Sequence, residues 1–172
     1  MDIARVIAQL KTYCPMLNKQ VGGAAEYEKA MKNGYLSTPC AYVIPMADDA
    51  EGNTDSNGLT QIVTESVSVM LILDNVERRG QTATISVEAT KYAVHKALLN
   101  WKMDPERQAK GFQYEGGSLV DMDGARLSWQ MTYSRDIWLT DQDGFKEPSE
   151  PLLHITGHNE ANTWSFDAAL DQ

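Results

Sequence analysis

The chain has 172 residues, of which 42% are apolar, and a formal net charge of −9. This length and composition are typical of one globular domain with a sizeable core and exclude a globally disordered chain. The excess of acidic over basic residues disfavours nucleic acid binding, because phosphates would be repelled. It also disfavours a basic membrane-binding face. No apolar run approaches the roughly 18 residues that a membrane span needs. Two cysteines in no recognisable pattern, and a start without a signal or transit peptide, predict a reduced intracellular protein.

The N-terminal part of the sequence predicts two amphipathic helices. The first helix is expected over residues 2–12, where apolar residues fall at helical spacing, and it should end before Pro15. The pair Gly22-Gly23 is interpreted as a turn, because the Gly-Lys-Ser/Thr ending of a phosphate loop is missing. Residues 24–34 predict a second, short helix with Gly34 as its C-terminal cap.

A short strand and an acidic loop are predicted next. Ala41–Ile44 is rich in strand-forming residues and is bounded by Pro39 and Pro45. The stretch Ala47–Gly58 contains no apolar residue larger than alanine, so a mobile loop is expected there. Its carboxylates are too dense to lie in a core and should face solvent; they are Asp48, Asp49, Glu51 and Asp55. A calcium loop is disfavoured because the required final Glu is missing.

The centre of the sequence predicts a long strand followed by a covering helix. Apolar and small polar residues alternate from Leu59 onwards and become apolar on both faces towards Asn75, as in a strand whose second half is buried on both sides. A helix should start at Thr82 or Thr84 and continue to Asp104-Pro105, because the residue before a proline avoids the helical region.

A hairpin is predicted in the third quarter of the chain. Ser118–Val120 and Leu127–Tyr133 are strand-like and are separated by an Asp-Gly turn, which is a strong short-range hairpin signal. The second arm continues its alternation to Leu139. These elements together predict an α+β fold, with a mainly antiparallel mixed sheet, helices packed on one face and an extended C-terminal arm.

One contiguous core cluster is expected from the matched strand parity and helical stripes. Its predicted members are Val67, Val69, Leu71, Leu73, Val94, Leu98, Trp101, Leu127, Trp129 and Met131.

The composition changes at Asp141. Residues 141–151 are charged and turn-rich and predict a linker, after which short strands are expected around Leu152–Thr156 and Thr163–Phe166.

The sequence therefore predicts a domain of residues 1–140 and a C-terminal extension or arm of residues 141–172. The arm contains many large apolar residues but no sustained period, so it should order by lying on another surface. That surface is either the chain's own sheet or a neighbouring subunit. Trp164 and Phe166 are the predicted anchors, because buried aromatic side chains dominate such contacts.

No catalytic constellation, cofactor motif or metal site is found in the sequence. His95 lies within a predicted helix, on the flank of its apolar face, where a structural or surface role is favoured over catalysis. His154 and His158 have the spacing of a helical metal pair, but Gly157 and β-branched neighbours disfavour a helix there. Arg135 and Asp136 are interpreted as an ion pair at the edge of the sheet.

The order of four stretches resembles that in the tail terminator proteins of long-tailed bacteriophages. They are PCAYVIPMADDAEGN, then QIVTESVSVMLILDN followed by RRG, then a helix ending ALLNWKMDPE, and finally FQYEGGSLVDMDGARLSWQMTYSRDIWL. A similar succession of strand, polar loop, long strand, helix ending in Trp and Gly-Gly-x-Leu hairpin recurs in this family. The resemblance covers residues 1–140, so it implies nothing about the arm.

The resemblance implies a structural virion protein without enzymatic activity or cofactor. Such proteins form a ring, usually hexameric, that caps the tail tube, ends its growth and joins the tail to the head. The implied partners are further copies of the chain, the tail tube protein and the head–tail connector or adaptor protein; no membrane is involved. DNA would pass through the channel without specific binding, and the acidic loop would face either solvent or that channel. The implied location is the head-proximal end of the virion tail, after assembly in the host cytoplasm.

Two other classes of protein stay open at this point. One is another virion part, namely a head–tail adaptor or a tube subunit. The other is a small intracellular ligand-binding α/β domain or enzyme, which should be monomeric or dimeric and have a deep pocket with perturbed titratable groups.

Overall fold

The computed structural model describes residues 1–34, 36–75, 81–107, 110–123 and 125–147, and the strands 154–158 and 165–169. Only the backbone is described for helix residues 81–86 and for the last two strands. In chain order the elements are α1 (Ile3–Tyr13), β1 (Val21–Gly23), α2 (Ala24–Asn33), β2 (Cys40–Ala50), β3 (Thr60–Asp74), α3 (Gln81–Leu98), β4 (Gln113–Met122), β5 (Arg126–Thr140), β6 (His154–His158) and β7 (Ser165–Ala169). The chain forms two compact units, Met1–Gln142 and Asp143–Gln172.

The first unit is built on a five-stranded sheet with the order β1-β2-β3-β5-β4. β1 runs parallel to β2, and the other neighbours are antiparallel. The α+β class and the mainly antiparallel mixed sheet predicted from the sequence are therefore confirmed. β3 and β5 are the spine of the sheet, because they pair without a register shift from Thr60↔Thr140 to Asp74↔Arg126.

One face of the sheet carries the main core beneath α1 and α3. Side chains of one parity on β3 face this side, as the alternation predicted, and Leu71 is fully buried among them. α1 contributes Val6 and Leu10, and α3 contributes Val94 and Leu98. The two longer helices bury their apolar stripes against this face, which is what holds them to the sheet.

The opposite face has a buried apolar group at one end, where α2 covers it, so the predicted packing of all the helices on one face was wrong for α2. Met70 and Ile72 of β3 lie there with Cys40 of β2, and Tyr27 of α2 packs against this group. The rings of Tyr27 and Tyr42 have their centroids 5.2 Å apart. The second half of β3 is therefore buried on both faces, as its sequence predicted.

The predicted core is largely one cluster, with one division. The main cluster contains Val67, Val69, Leu71, Val94, Leu98 and Met131, and Trp101 packs partly buried against it. Leu73 and Leu127 belong instead to a smaller cluster with Val87. Trp129 packs against both clusters and joins them.

The predicted first helix and the cap of the second are confirmed. Asp2 accepts a hydrogen bond from the Arg5 N–H at 3.3 Å and so caps α1. Gly34 ends α2 with φ +64°, the left-handed conformation that glycine adopts without strain. The turn predicted at Gly22-Gly23 was wrong: both residues belong to β1, which pairs with β2 before α2 begins.

The predicted boundary between the first strand and the acidic loop was also wrong. β2 continues past Pro45 to Ala50, so Asp48 and Asp49 lie on a strand. The register with β3 shifts between Pro45 and Asp48, which marks a β-bulge. A proline is tolerated in a strand at a bulge or at a sheet edge, and both conditions hold here.

α3 ends at Leu98, earlier than the predicted end at Asp104-Pro105. Asn100 adopts φ +60° and stops the helix. Its N–H donates to the Phe112 carbonyl at 2.9 Å. The helix therefore ends at this tertiary contact, before it reaches the proline.

The β4–β5 hairpin is confirmed and is longer than predicted, with register pairs from Gln113↔Ser134 to Met122↔Leu127. In the second unit, β6 and β7 form an antiparallel pair, close to the two short strands expected there. Gly157 lies opposite Phe166 in this pair.

Candidate assembly surfaces

We define the distal sheet as residues 46–50, 60–66 and 134–140. It carries Asp48 and Asp49, two of the four carboxylates that the sequence predicts to face solvent. Asp48 lies in register with Glu65, and Asp49 with Thr64. Both carboxylates are exposed, as are Glu51 and Asp55 beyond the strand end. The structure thus places all four residues at one acidic end of the sheet.

The loop from 51 to 59 is held by short polar contacts. The Asn53 amide donates to the backbone carbonyls of Asp55 and Gly58, at 2.9 and 2.8 Å. Asp141, at the end of β5, accepts from the Leu59 N–H at 2.8 Å. These bonds explain why the loop follows a defined path without apolar anchors.

A buried ion pair lies where the distal sheet meets the main core. Arg135 of β5 donates from Nε to Glu65 Oε2 of β3 at 2.7 Å, and its second nitrogen lies 2.6 Å from the same oxygen. The Met1 ammonium donates to Glu65 Oε1 at 2.5 Å. Burial alone would raise the pKa of Glu65, but the hydrogen bonds from Met1 and Arg135 outweigh it and hold the pKa below its usual value.

Asp104 extends this network to α1. It lies 2.7 Å from the Arg5 guanidinium and 3.3 Å from that of Arg135. Partial burial raises the pKa of Asp104, whereas the bonds from Arg5 and Arg135 lower it, and the net shift is downward. The network ties α1, β3, β5 and the segment after α3 together through charges that would be costly to bury singly.

The predicted ion pair between Arg135 and Asp136 was wrong. Neighbouring residues of a strand face opposite sides of the sheet, so these two side chains cannot meet. Asp136 instead accepts from the Thr64 hydroxyl at 2.9 Å on the other face. The sequence did not reveal Glu65 as the partner, because the β3–β5 register is needed to place it opposite Arg135.

The outer edge of β2 is protected against pairing with another chain. β1 covers only Ala41–Val43, and no strand lies beside Ile44–Ala50 within the described residues. The Ala41 N–H points outwards to Gln20, and alternation directs position 45 outwards as well, where Pro45 has no N–H to donate. The bulge and two carboxylates follow. Proline, bulges and charge are the devices by which natural sheets avoid edge association.

The outer edge of β4 lacks a proline and a basic residue, although two bulges interrupt it at Tyr114/Gly116 and Leu119/Asp121. In the described part of the chain no strand pairs with this edge. Leu119, Val120 and Met122 are 47%, 49% and 52% exposed. An exposed apolar edge strand is a ready site for pairing with another chain.

His95 lies on α3, whereas His154 and His158 lie on β6. The Tyr133 hydroxyl lies 3.0 Å from His95 Nδ1, which agrees with the predicted structural role. Burial, followed by the nearby charge of Lys91, lowers the pKa of His95. His154 and His158 lie on strand β6, so the helical geometry of a metal pair does not apply to them.

No group of three or more potential metal ligands occurs among the residues that the structure describes. The described helices include none long and apolar enough to cross a membrane. A cavity of about 390 Å³ lies beside Glu65 and Arg135, but these two charges are bonded to each other.

Comparison with known proteins identifies the family of the chain. Residues 1–142 match the family described as phage tail terminator protein. Among solved structures, a chain of a virion of a native gene transfer agent particle is similar, with 13% identity and a TM-score of 0.47 over 80% of this chain and 98% of that chain. No curated protein matches the sequence. Because the family match spans most of the chain, the protein belongs to the phage tail terminator family, which is a family of structural virion proteins.

Proposed function

We propose that this protein forms a closed ring of six copies that caps the phage tail tube, ends its growth and joins the tail to the head connector. The observation that carries this proposal is the family match over residues 1–142. The protein is a structural component of the phage tail and of the virion. Its position at the head-proximal end, its assembly in the host cytoplasm and its contacts with the tube and connector proteins are parts of the proposal.

The two sheet edges support a directional assembly. A ring is generated by heterologous contacts, in which one surface of a copy meets a different surface of the next. The β2 edge carries a proline and one bulge, whereas the β4 edge carries two bulges, no proline and exposed apolar side chains, so the two sides of each copy offer unlike surfaces. A symmetric dimer would need only one self-complementary surface.

Electron microscopy of particles that lack the protein tests the role directly. We expect tails that are overlong or ragged, and normal length should return when the protein is supplied. Tails of normal length without heads would show a head–tail adaptor instead. Cross-linking of intact particles should give species up to the hexamer, whereas dimers alone would contradict the ring.

We assign the acidic end of the distal sheet to the DNA channel, where carboxylates would repel phosphates and let DNA slide. Changing all four of its residues to Lys should leave folding intact but slow DNA ejection; they are Asp48, Asp49, Glu51 and Asp55. A control variant makes the same charge change elsewhere, at Glu28, Glu88, Glu106 and Glu147. Equal ejection rates for the two variants would place the acidic end outside the channel.

The C-terminal arm is proposed to contact a neighbouring subunit. Trp164 lies outside the described residues and the Phe166 side chain is not described, so their role as anchors stays a prediction. Deleting residues 146–172 should leave a folded domain that assembles poorly, because the family match ends at residue 142. A truncated protein that unfolds outright would instead assign the arm to its own core.

A further inference from the structure

The exposed edge of β4 contains a short uncharged run with which another strand could pair. Gly116–Val120 has five residues without charge and is flanked by Glu115 and Asp121. The bulge residues, which have no partner on β5, are Glu115 just before this run and Val120 at its end. Backbone groups on its outer side can pair with one further strand of about the same length.

The second unit offers a strand of matching length. β6 and β7 each have five residues, and among the described residues each pairs only with the other, so each has one open edge. An isolated two-stranded hairpin is marginally stable in water, and a third strand stabilises it. β7 contains Asp167, whereas β6 has no carboxylate and has a histidine at each end.

Charge makes β6 the better partner for β4. If Thr156 lies opposite Ser118 in an antiparallel pair, His154 falls opposite Val120 and His158 opposite Gly116. β6 therefore adds no carboxylate beside Glu115 and Asp121, which flank this run. The same alignment with β7 would place an aspartate on an edge that is already acidic, where like charges repel.

From these observations we infer that β6 of one copy pairs antiparallel with the β4 edge of the next copy. The inference rests on the proposed ring and names the contact that closes it. The donated strand and the accepting edge are different parts of the chain, so each copy gives one strand and receives one, as a heterologous contact requires. The connecting residues 143–153 span up to roughly 35 Å when extended, which is enough to reach an adjacent copy.

The exposure of an aromatic side chain in the connecting segment agrees with this contact. Phe145 is 91% exposed, the highest value among the large apolar side chains described. A neighbouring copy would cover it. The family match ends at residue 142, before this segment.

Disulfide trapping in the full-length protein tests the pairing. Ser118→Cys is combined with Thr156→Cys, and in a second variant with Ile155→Cys to allow for a one-residue shift in register. Cα atoms of directly opposed residues lie about 4.5–5.5 Å apart, within reach of a disulfide. The native Cys14 and Cys40 are buried and burial raises the pKa of both thiols, so they should not react.

Oxidation of the assembled protein should give disulfide-linked species larger than the monomer, up to the full ring, for one of the two registers. Asp49→Cys with Thr156→Cys, at the β2 edge, should give no disulfide-linked oligomers. The mass of the unlinked assembly is measured in parallel. A ring that yields only intrachain disulfides, or none, overturns the inference and leaves the proposed ring intact. Intermolecular disulfides without a closed ring support the pairing and contradict the ring.

Discussion

Replacing Arg135 by Met is the perturbation that most directly tests how the sheet is held at the edge of its core. Arg135 and Glu65 are 4% and 7% exposed and lie opposite each other on β5 and β3. Removing one partner of a buried ion pair leaves an uncompensated charge and costs about 3–5 kcal/mol. Glu65 keeps the Met1 ammonium as a partner, so we expect the lower end, about 3 kcal/mol.

Urea unfolding followed by circular dichroism measures the loss in the free energy of unfolding, and thermal unfolding measures the change in melting temperature. For a chain of this size, a loss of about 3 kcal/mol lowers the melting temperature by roughly 6–12 °C. The control is Lys102→Met, which removes an exposed cation and should change stability by less than about 0.5 kcal/mol. The double variant Glu65→Leu with Arg135→Met removes both side chains of the pair, so its loss should be smaller than the sum of the two single losses. If the losses of the single variants simply add, the two side chains are not energetically coupled and the reasoning is refuted.

The pH dependence provides a second measure of the same pair. The pKa of Glu65 in the folded protein is below its ordinary value of 4.5. The pair therefore contributes stability above that value, and this contribution is lost as the pH falls through the folded pKa. The difference between the wild-type protein and Arg135→Met should shrink towards low pH, because a protonated Glu65 no longer needs a cation.

Three further predictions concern the core and its close contacts. Leu71→Ala, at a fully buried position of β3, should cost about 2–5 kcal/mol, and a loss below about 0.5 kcal/mol would place the side chain outside the core. Gly111→Ala would bring a Cβ within 2.2 Å of backbone and should destabilise by about 1–3 kcal/mol, whereas Gly52→Ala meets nothing within 4 Å and should be nearly neutral. The pKa of His95 is lowered, so the unfolded chain takes up the proton first and stability should fall as the pH drops below about 6.5. His95→Gln should remove that slope; an unchanged slope would assign it to other groups.

Periodicity in the sequence predicted the elements whose own residues decide their structure. The alternation along β3 predicted both its length and its burial on two faces at one end. The first helix, the Gly34 cap and the β4–β5 hairpin followed from local signals of the same kind. Each of these elements carries its determinants within about a dozen residues.

Tertiary contacts decided the elements that the sequence did not predict. β2 continues past Pro45 because β3 offers it a partner, and a bulge absorbs the proline. α3 ends at Leu98 because Asn100 turns to pair with Phe112. The Glu65–Arg135 pair and the unlike edges of β2 and β4 depend on strand order and register, which no single segment encodes. The candidate surfaces were therefore visible only once the sheet was assembled.

The uninterrupted ladder between β3 and β5 has a mechanical consequence. The ladders of β2 with β3 and of β4 with β5 contain register shifts, whereas the pairs from Thr60↔Thr140 to Asp74↔Arg126 run without one. A force along the strands loads this ladder in shear, so all of its hydrogen bonds share the load. A bulged ladder concentrates strain at the bulge and yields there first. Tension along the strand direction should therefore leave the central pair intact while the two outer strands peel away from it.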